Sequence, residues 1–157
     1  MVELTGRPDL FALKWPNDVL LTGGKLAGIL LEGYGSGHLA VGIGVNLAAA
    51  PDKSHVEDSA VAPVALAEVT GVSIAAEEFL APLAAHFARF EAQLSTYGFA
   101  PIRTAWLARA ARLGQVVTAR TLRDETTGTF ETVDESGQLV LSTAKGRVTI
   151  PAADVYF

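Results

Sequence analysis

The feature that most constrains the fold is a strict alternation of residue types over residues 41–47. Gly42, Gly44 and Asn46 fall on one side of an extended strand, and the aliphatic residues between them fall on the other. Glycine inside a strand costs stability and usually marks close approach by a ligand or another backbone. Two glycines followed by a carboxamide therefore predict a side-chain-free floor for a ligand. The alternative is that the glycines let a helix pack closely on the sheet.

The residues around this strand predict an antiparallel meander over residues 11–47. An alternation of apolar residues runs up to Trp15, and Pro16 ends the ladder because proline cannot donate a hydrogen bond. The glycine pair at 23–24 marks a turn before a further apolar strand. Residues 48–60 are mostly small or polar and predict a loop.

The middle of the chain predicts helices. A short helix is expected over residues 63–70, with Pro63 in its first turn and Gly71 just past its end. A long helix then ends at Gly98, and a third covers residues 101–112. The apolar residues concerned are Leu83, Phe87, Phe90 and Leu94 on one face of the long helix, and Ile102, Trp106 and Leu113 facing inward in or just after the third.

From Gly114 onwards the pattern returns to short strands separated by turns. Strands at this spacing in so short a segment suggest a small β-barrel. The fold class expected for the whole chain is therefore α+β, in which an antiparallel or mixed sheet with helices on one side precedes the small barrel. The predicted strands are 116–122, 129–133, 139–142 and 148–150.

The composition excludes several classes of function. The chain of 157 residues carries a formal net charge of −5, which argues against a general nucleic-acid binder, because such proteins need a basic face to neutralise phosphates. It contains no cysteine, so disulfides, thiolate catalysis and zinc–cysteine sites are excluded. Neither a secretory signal nor an apolar run of the roughly 18–20 residues of a membrane helix is present. We therefore expect a soluble, cytoplasmic protein that binds neither nucleic acid nor membrane.

A second distinctive segment is LKWPNDV at residues 13–19, which places a cation, an amide and a carboxylate at a strand end. One alternative is an ordinary surface turn, because Asn17 and Asp18 are residue types that favour turns. A second cation, Lys25, begins the next strand. Strict alternation places Lys25 on the face opposite Gly28, so alternation alone does not bring this lysine over the glycine floor, whereas a twisted strand end could.

Three segments carry a family resemblance. They are KWPND at 14–18, KLAGIL at 25–30 with Glu32 soon after, and GIGVNL at 42–47. In this order and spacing they resemble three consecutive signatures of biotin protein ligases. The segments that follow are also similar to that family, including its small SH3-like carboxyl-terminal domain. The resemblance implies a partial catalytic domain over residues 1–112 and an SH3-like domain over residues 113–157.

The resemblance implies a two-step reaction. The biotin carboxylate attacks the α-phosphate of ATP to give biotinyl-AMP, and a lysine of a biotin carboxyl carrier protein then displaces AMP. Two anions must approach each other, so Lys25 is implied as the catalytic cation and Asp18 as the ligand of Mg²⁺. Trp15 is expected in the core. The residues implied in biotin binding are Lys25, Gly28, Ile29, Gly42 and Gly44, and those implied in ATP binding are Asn17, Asp18, Lys25 and Asn46.

The chain departs from the family pattern at its beginning. Biotin protein ligases carry strands that hold biotin and a Gly/Arg-rich loop before the KWPND segment, whereas here 13 residues precede Lys14. We therefore expect a truncated ligase that is inactive by itself. The alternative is a non-catalytic interaction module that binds a carrier domain or a partner chain. Whether the chain forms a homodimer is left open by the sequence. A lipoate ligase relative is disfavoured by the KWPND segment and the SH3-like tail.

Overall fold

The structure is a computed structural model that describes residues 1–35, 37–52, 61–121 and 123–157. The parts of the predicted loop and of the predicted strand that fall on residues 53–60 and 122 lie outside these residues. The helices are α1 (Val2–Thr5), α2 (Leu66–Thr70), α3 (Ala76–Tyr97) and α4 (Phe99–Leu107), with a 3-10 helix at Pro8–Leu10. The strands are β1 (Phe11–Lys14), β2 (Asp18–Leu21), β3 (Gly24–Tyr34), β4 (His38–Val45), β5 (Val116–Arg120), β6 (Glu125–Val133), β7 (Leu139–Thr143), β8 (Gly146–Ile150) and β9 (Asp154–Tyr156).

The chain divides into two compact units. The first consists of Met1–Leu13 with Asn17–Ala75, and the second of Lys14–Pro16 with Ala76–Phe157. Neither unit contains a described helix that is long and apolar enough to cross a membrane. The α+β class and the antiparallel character of the sheets, both expected from the sequence, are confirmed.

The first unit is built on a four-stranded sheet in the order β1-β2-β3-β4. The meander expected over residues 11–47 is therefore confirmed, and the hairpin of β3 and β4 sets Gly28 directly opposite Gly44. The core beneath the sheet contains the fully buried side chains of Leu21, Leu26 and Leu66. Burial of leucine side chains of this kind is the main favourable term that holds such a small layer together.

The short helix of the first unit begins later than predicted. α2 starts at Leu66, and Pro63, which was expected in its first turn, instead forms a parallel bridge with Lys25 of β3. The prediction was wrong because Pro63 is equally at home in extended backbone, where its fixed φ is also allowed. The helix ends as expected at Gly71, whose φ of 74° is in the left-handed region.

The second unit contains a five-stranded antiparallel sheet in the order β8-β7-β6-β5-β9. Among the described strands no pairing between β8 and β9 closes this sheet into a barrel. Trp15 is 6% exposed and packs in the core of this unit, where its Nε1 donates a hydrogen bond to the carbonyl oxygen of Gly137 over 3.1 Å. The expectation that Trp15 is a core residue is confirmed.

The helices of the second unit follow the sequence prediction in part. α3 ends before Gly98 as expected, but Phe87 is 50% and Leu94 is 47% exposed. α4 ends at Leu107, before the predicted residue 112, and Leu113, expected inward, is 40% exposed. Arg112, five residues beyond the end of α4, takes a left-handed φ of 62°.

Two glycines of β3 give a test of the packing around this strand. A Cβ at Gly24 would overlap Cγ1 of Val64 and lie 3.1 Å from the carbonyl oxygen of Ala62. We expect Gly24→Ala to lower the free energy of unfolding by about 1–3 kcal/mol, measured by chemical denaturation.

The matched control for this substitution is Gly33→Ala in the same strand. A Cβ at Gly33 has nothing within 4 Å among the described residues, so its effect should be close to zero. Equal losses of stability for the two variants would contradict the close packing of Val64 on Gly24.

Candidate functional site

An irregularity in the pairing of β2 with β3 decides where Lys25 points. Val19 lies opposite Ala27, but the next residue of β2, Leu20, lies opposite Lys25. Leu26 is therefore an extra residue on β3, which defines a β-bulge. An extra residue shifts the alternation by one position, so Lys25 shares a face with Gly28 instead of opposing it.

The bulge brings Lys25 onto a buried carboxylate. Nζ of Lys25 lies 2.7 Å from Oδ1 of Asp18, and the side chains are 44% and 9% exposed, respectively. Asp18 is paired with Gly28 across the sheet. A Cβ at Gly28 would lie 3.4 Å from Cε of Lys25 and 3.6 Å from Oδ1 of Asp18. The ion pair therefore rests against glycine backbone, which leaves space for a second group to approach it.

The glycine floor predicted from the alternation is present. Gly28 and Gly44 lie opposite each other, and Gly42 lies opposite Leu30 on the same face. Among the described residues, a Cβ at Gly44 would have no heavy atom within 4 Å, and one at Gly42 would meet only Leu30 atoms, at 3.7 and 3.9 Å. The alternative in which these glycines admit a helix therefore has no support in the described part of the chain.

A cavity of about 360 Å³ opens next to this floor. It brings together four of the residues predicted for the site, namely Lys25, Gly28, Gly44 and Asn46. Cavities of this size are typical of small-molecule sites. The remaining lining residues are Leu26, Ala27, Val45, Pro51, Val61 and Pro63.

Asn17 and Ile29 have a different arrangement. Asn17 is exposed. Its side-chain Nδ2 donates to the carbonyl oxygen of Ile29 over 2.8 Å, and its backbone carbonyl oxygen accepts from the amide of Ile29 over 2.9 Å. The side chain of Ile29 lies on the face opposite Gly28. The backbone amide and carbonyl of Ile29 are thus both bonded to Asn17. The roles of the two residues in ligand binding stay predictions.

The carboxylate of Asp18 is the side chain in this site that can act as a ligand of a metal ion. Among the described residues no three His, Cys, Asp or Glu side chains cluster as a metal site. Mg²⁺ is often held by only one or two carboxylates, with water and substrate phosphates completing its octahedron. Asp18 fits that mode of binding, in which the ion arrives with a phosphate ligand.

The segment Ala62–Val64 is part of the site and was missed by the sequence analysis. The amide of Lys25 donates to the carbonyl oxygen of Ala62 over 2.9 Å, and the amide of Val64 donates to the carbonyl oxygen of Lys25 over 3.0 Å. The sequence signal that points to this neighbour is Gly24, because a strand glycine marks a close approach by other atoms. In the structure those atoms belong to Val64.

Two family models match the chain. The model described as Biotin/lipoate A/B protein ligase family matches residues 6–47, which include every residue predicted for the site. The model described as Biotin protein ligase C terminal domain matches residues 113–157, and the SH3-like module expected there is confirmed.

Curated relatives and solved structures agree with these models. A biotin–[acetyl-CoA-carboxylase] ligase from Paracoccus denitrificans is 60% identical over 150 residues, covering 93% of this chain and 62% of the relative. A bifunctional ligase/repressor from Bacillus subtilis is 31% identical, covering 91% of this chain and 45% of the relative. The apo biotin protein ligase from Aquifex aeolicus is 25% identical with a TM-score of 0.85, covering 98% of this chain and 67% of that structure. The chain thus spans about half to two thirds of the length of these relatives.

The ion pair predicts unequal costs for removing its two charges. Lys25→Met removes the ammonium 2.7 Å from a carboxylate that is only 9% exposed, whereas Asp18→Asn leaves a lysine that is 44% exposed and can turn to water. We expect Lys25→Met to lower the free energy of unfolding by about 1–2 kcal/mol and Asp18→Asn by about half as much or less.

Urea denaturation of the two variants at neutral pH checks this order. Lys145→Met, at an exposed turn position, serves as the control for exchanging lysine for methionine. A larger loss for Asp18→Asn than for Lys25→Met would show that the burial of the carboxylate does not govern this pair.

Proposed function

The chain belongs to the biotin protein ligase family, and we propose on that basis that it serves ATP-dependent attachment of biotin to a carrier protein. The observation that carries this proposal is the Lys25–Asp18 ion pair on the floor of Gly28 and Gly44, beside an open cavity. An anionic ligand that enters this cavity meets an ammonium group and backbone without side chains. A flat, polar-ended ligand can therefore lie directly on the strands.

The first step joins biotin to a nucleotide. A carboxylate oxygen of biotin attacks the α-phosphorus of ATP, the bond from this phosphorus to the bridging oxygen breaks, and pyrophosphate leaves with the electron pair. The product is biotinyl-AMP, a mixed anhydride. Both reactants are anionic, so the role we assign to Lys25 is to bind the biotin carboxylate and a phosphate oxygen together and offset their repulsion.

The second step transfers the biotinyl group. A neutral lysine amine of the carrier attacks the carbonyl carbon of biotinyl-AMP, and the bond between that carbon and the phosphate oxygen breaks. AMP leaves with the electron pair, the nitrogen loses a proton to solvent, and an amide remains. Lys25 again faces the group whose negative charge grows, which is the phosphate of the departing AMP.

The other predicted residues fall into three groups, assigned to the metal ion, the nucleotide and biotin. Asp18 would hold Mg²⁺, which when bound supplies positive charge to the phosphate oxygens. Asn17 and Asn46 are assigned to the nucleotide. The backbone of Gly28, Ile29, Gly42 and Gly44 is assigned to biotin, and the exposed, side-chain-free face of Gly42 and Gly44 supports this assignment best.

The partner that this reaction requires is a biotin carboxyl carrier protein. This chain spans 62% of the Paracoccus relative, so the activity, substrate and partners of the whole ligase are proposals here. Homodimerisation, a cytoplasmic location and the absence of nucleic-acid binding stay predictions from the sequence.

Substitution of Lys25 tests the proposed function. With the complete product of the gene, we expect Lys25→Ala to reduce biotin-dependent exchange of labelled pyrophosphate into ATP by about 10²–10³-fold, which is typical of losing one electrostatic stabiliser of a transition state. Lys145→Ala, in the exposed turn between β7 and β8, is the matched control and should keep wild-type exchange. Unchanged exchange in Lys25→Ala, or exchange that does not depend on biotin, would refute the proposal.

A non-catalytic binding function is favoured by a different observation. β4 is a terminal strand of the described sheet, and its Leu39 and Val41 are 58% and 38% exposed. Terminal strands present unpaired backbone groups that another chain can extend by strand addition. Titration of the chain with a biotin carrier domain decides this point, and the absence of a complex at high micromolar concentration would exclude it.

A further inference from the structure

We propose that Asn46 is a positioning residue for Lys25, acting through the backbone of the bulge, rather than only a contact of the nucleotide. This inference rests on the proposed function, because it concerns the lysine assigned there to the biotin carboxylate. The strand alternation had marked Asn46 as the polar end of the glycine floor. Its hydrogen bonds show that the carboxamide is directed at the backbone that holds Lys25.

The carboxamide of Asn46 joins two segments of the chain. Nδ2 donates to the carbonyl oxygen of Val64 over 3.1 Å and to that of Lys25 over a longer 3.4 Å. The carbonyl of Lys25 also accepts from the amide of Val64 in the parallel bridge with Pro63, and the carbonyl of Val64 belongs to the segment that precedes α2. A carboxamide nitrogen carries two hydrogens, so these two bonds use its donor capacity.

The backbone of Asn46 is fixed in the same place. Its amide donates to the carbonyl oxygen of Leu26, the bulge residue, over 2.9 Å, and its carbonyl oxygen accepts from the amide of Leu66 over 2.9 Å. Asn46 thereby ties the bulge, the segment at Val64 and the start of α2 together. The amide and the carbonyl of Lys25 are both bonded to residues 62–64, the segment that the side chain of Asn46 also contacts.

Loss of the carboxamide should act on Lys25 more than on the fold. The backbone bonds of Asn46 and the buried leucines at positions 21, 26 and 66 remain in Asn46→Ala, so the sheet and α2 keep their main contacts. The carbonyl of Lys25 loses one of its donors next to an irregular stretch of strand. Because Nζ stands on the far end of a flexible side chain, a small turn of this backbone moves the ammonium away from the floor.

Binding of biotin alone separates positioning from direct contact with a nucleotide. Biotin has no nucleobase, so a residue that only contacts adenine cannot change its affinity. We expect Asn46→Ala to raise the Kd of biotin, measured by isothermal titration calorimetry on the complete gene product, by about tenfold, the order of one net hydrogen bond. On the Lys25→Ala background the same substitution should change Kd by less than about twofold, as coupled residues do.

A second readout does not depend on the proposed function. In protein labelled with ¹³Cε-lysine, the resonance of Lys25 can be assigned from its loss in Lys25→Ala. We expect Asn46→Ala to shift this resonance and to leave that of Lys145 unchanged. If the wild-type protein binds no biotin, the proposed function fails, while this shift still decides whether Asn46 positions Lys25.

Asn46→Asp provides a control in which the side chain keeps a similar size but, as a carboxylate, cannot donate to the two carbonyl oxygens. It should shift the Lys25 resonance at least as much as Asn46→Ala. An unmoved Lys25 resonance in both variants, or weaker binding of ATP with unchanged binding of biotin, would overturn the proposal. So would loss of a cooperative melting transition in both variants, since Asn46 would then hold the whole unit.

Discussion

The extra residue in β3 is the constraint on which the candidate site depends. Leu26 lies between two residues that pair with consecutive positions of β2, and its side chain is fully buried. Burial fixes the bulge, because moving Leu26 to restore regular pairing would remove a leucine from the core at a cost of about 2–5 kcal/mol. The hydrophobic core thereby determines that Lys25 shares a face with Gly28 and meets Asp18. The burial of Leu26 on one side of the sheet therefore determines that the Lys25–Asp18 ion pair forms on the other side.

Several features that cost stability are gathered around this bulge. Glycines within strands lose more conformational entropy than other residues, and Asp18 is a carboxylate that is only 9% exposed. Each of these would be unfavourable in an ordinary sheet. Their concentration at one place, beside a cavity and above a compact leucine core, is the pattern expected of a functional site.

The sequence predicted the elements better than it predicted their irregularities. Alternation located β4 and its glycine floor, because a period of two directly encodes which residues share a face. The same rule put Lys25 on the wrong face, since a bulge leaves no mark in the polarity pattern of β3. Pro63 was placed in a helix because proline suits a first helical turn and extended backbone alike. Each of these errors arose where long-range pairing, rather than local preference, decides the conformation.

Trp15 and the long helix α3 also show that local sequence patterns do not indicate which distant segments will pack against a residue. Burial of Trp15 was predictable from its size and type, but the core that receives it, around Phe130 and Leu141, lies more than a hundred residues away in the sequence. Periodicity likewise found the apolar face of α3 without indicating that Phe87 would be half exposed. A helical repeat states which residues lie together on a helix, whereas their burial depends on what other chain segments cover.

Asn46 illustrates why anchoring the backbone is an effective way to hold Lys25, the cation that we propose to be catalytic. Fixing a lysine side chain by its own contacts costs about 2 kcal/mol of rotamer entropy and leaves the ammonium with less freedom to bind a substrate. Hydrogen bonds to the carbonyl and amide of Lys25 fix the origin of the side chain instead, and Asp18 then needs to select only among the remaining rotamers. Electrostatic stabilisation depends on such preorganisation, because a cation that must be reoriented during the reaction loses part of its advantage. In the reaction that we propose, the ammonium is thus placed in advance and exchanges its carboxylate partner for the anionic substrate.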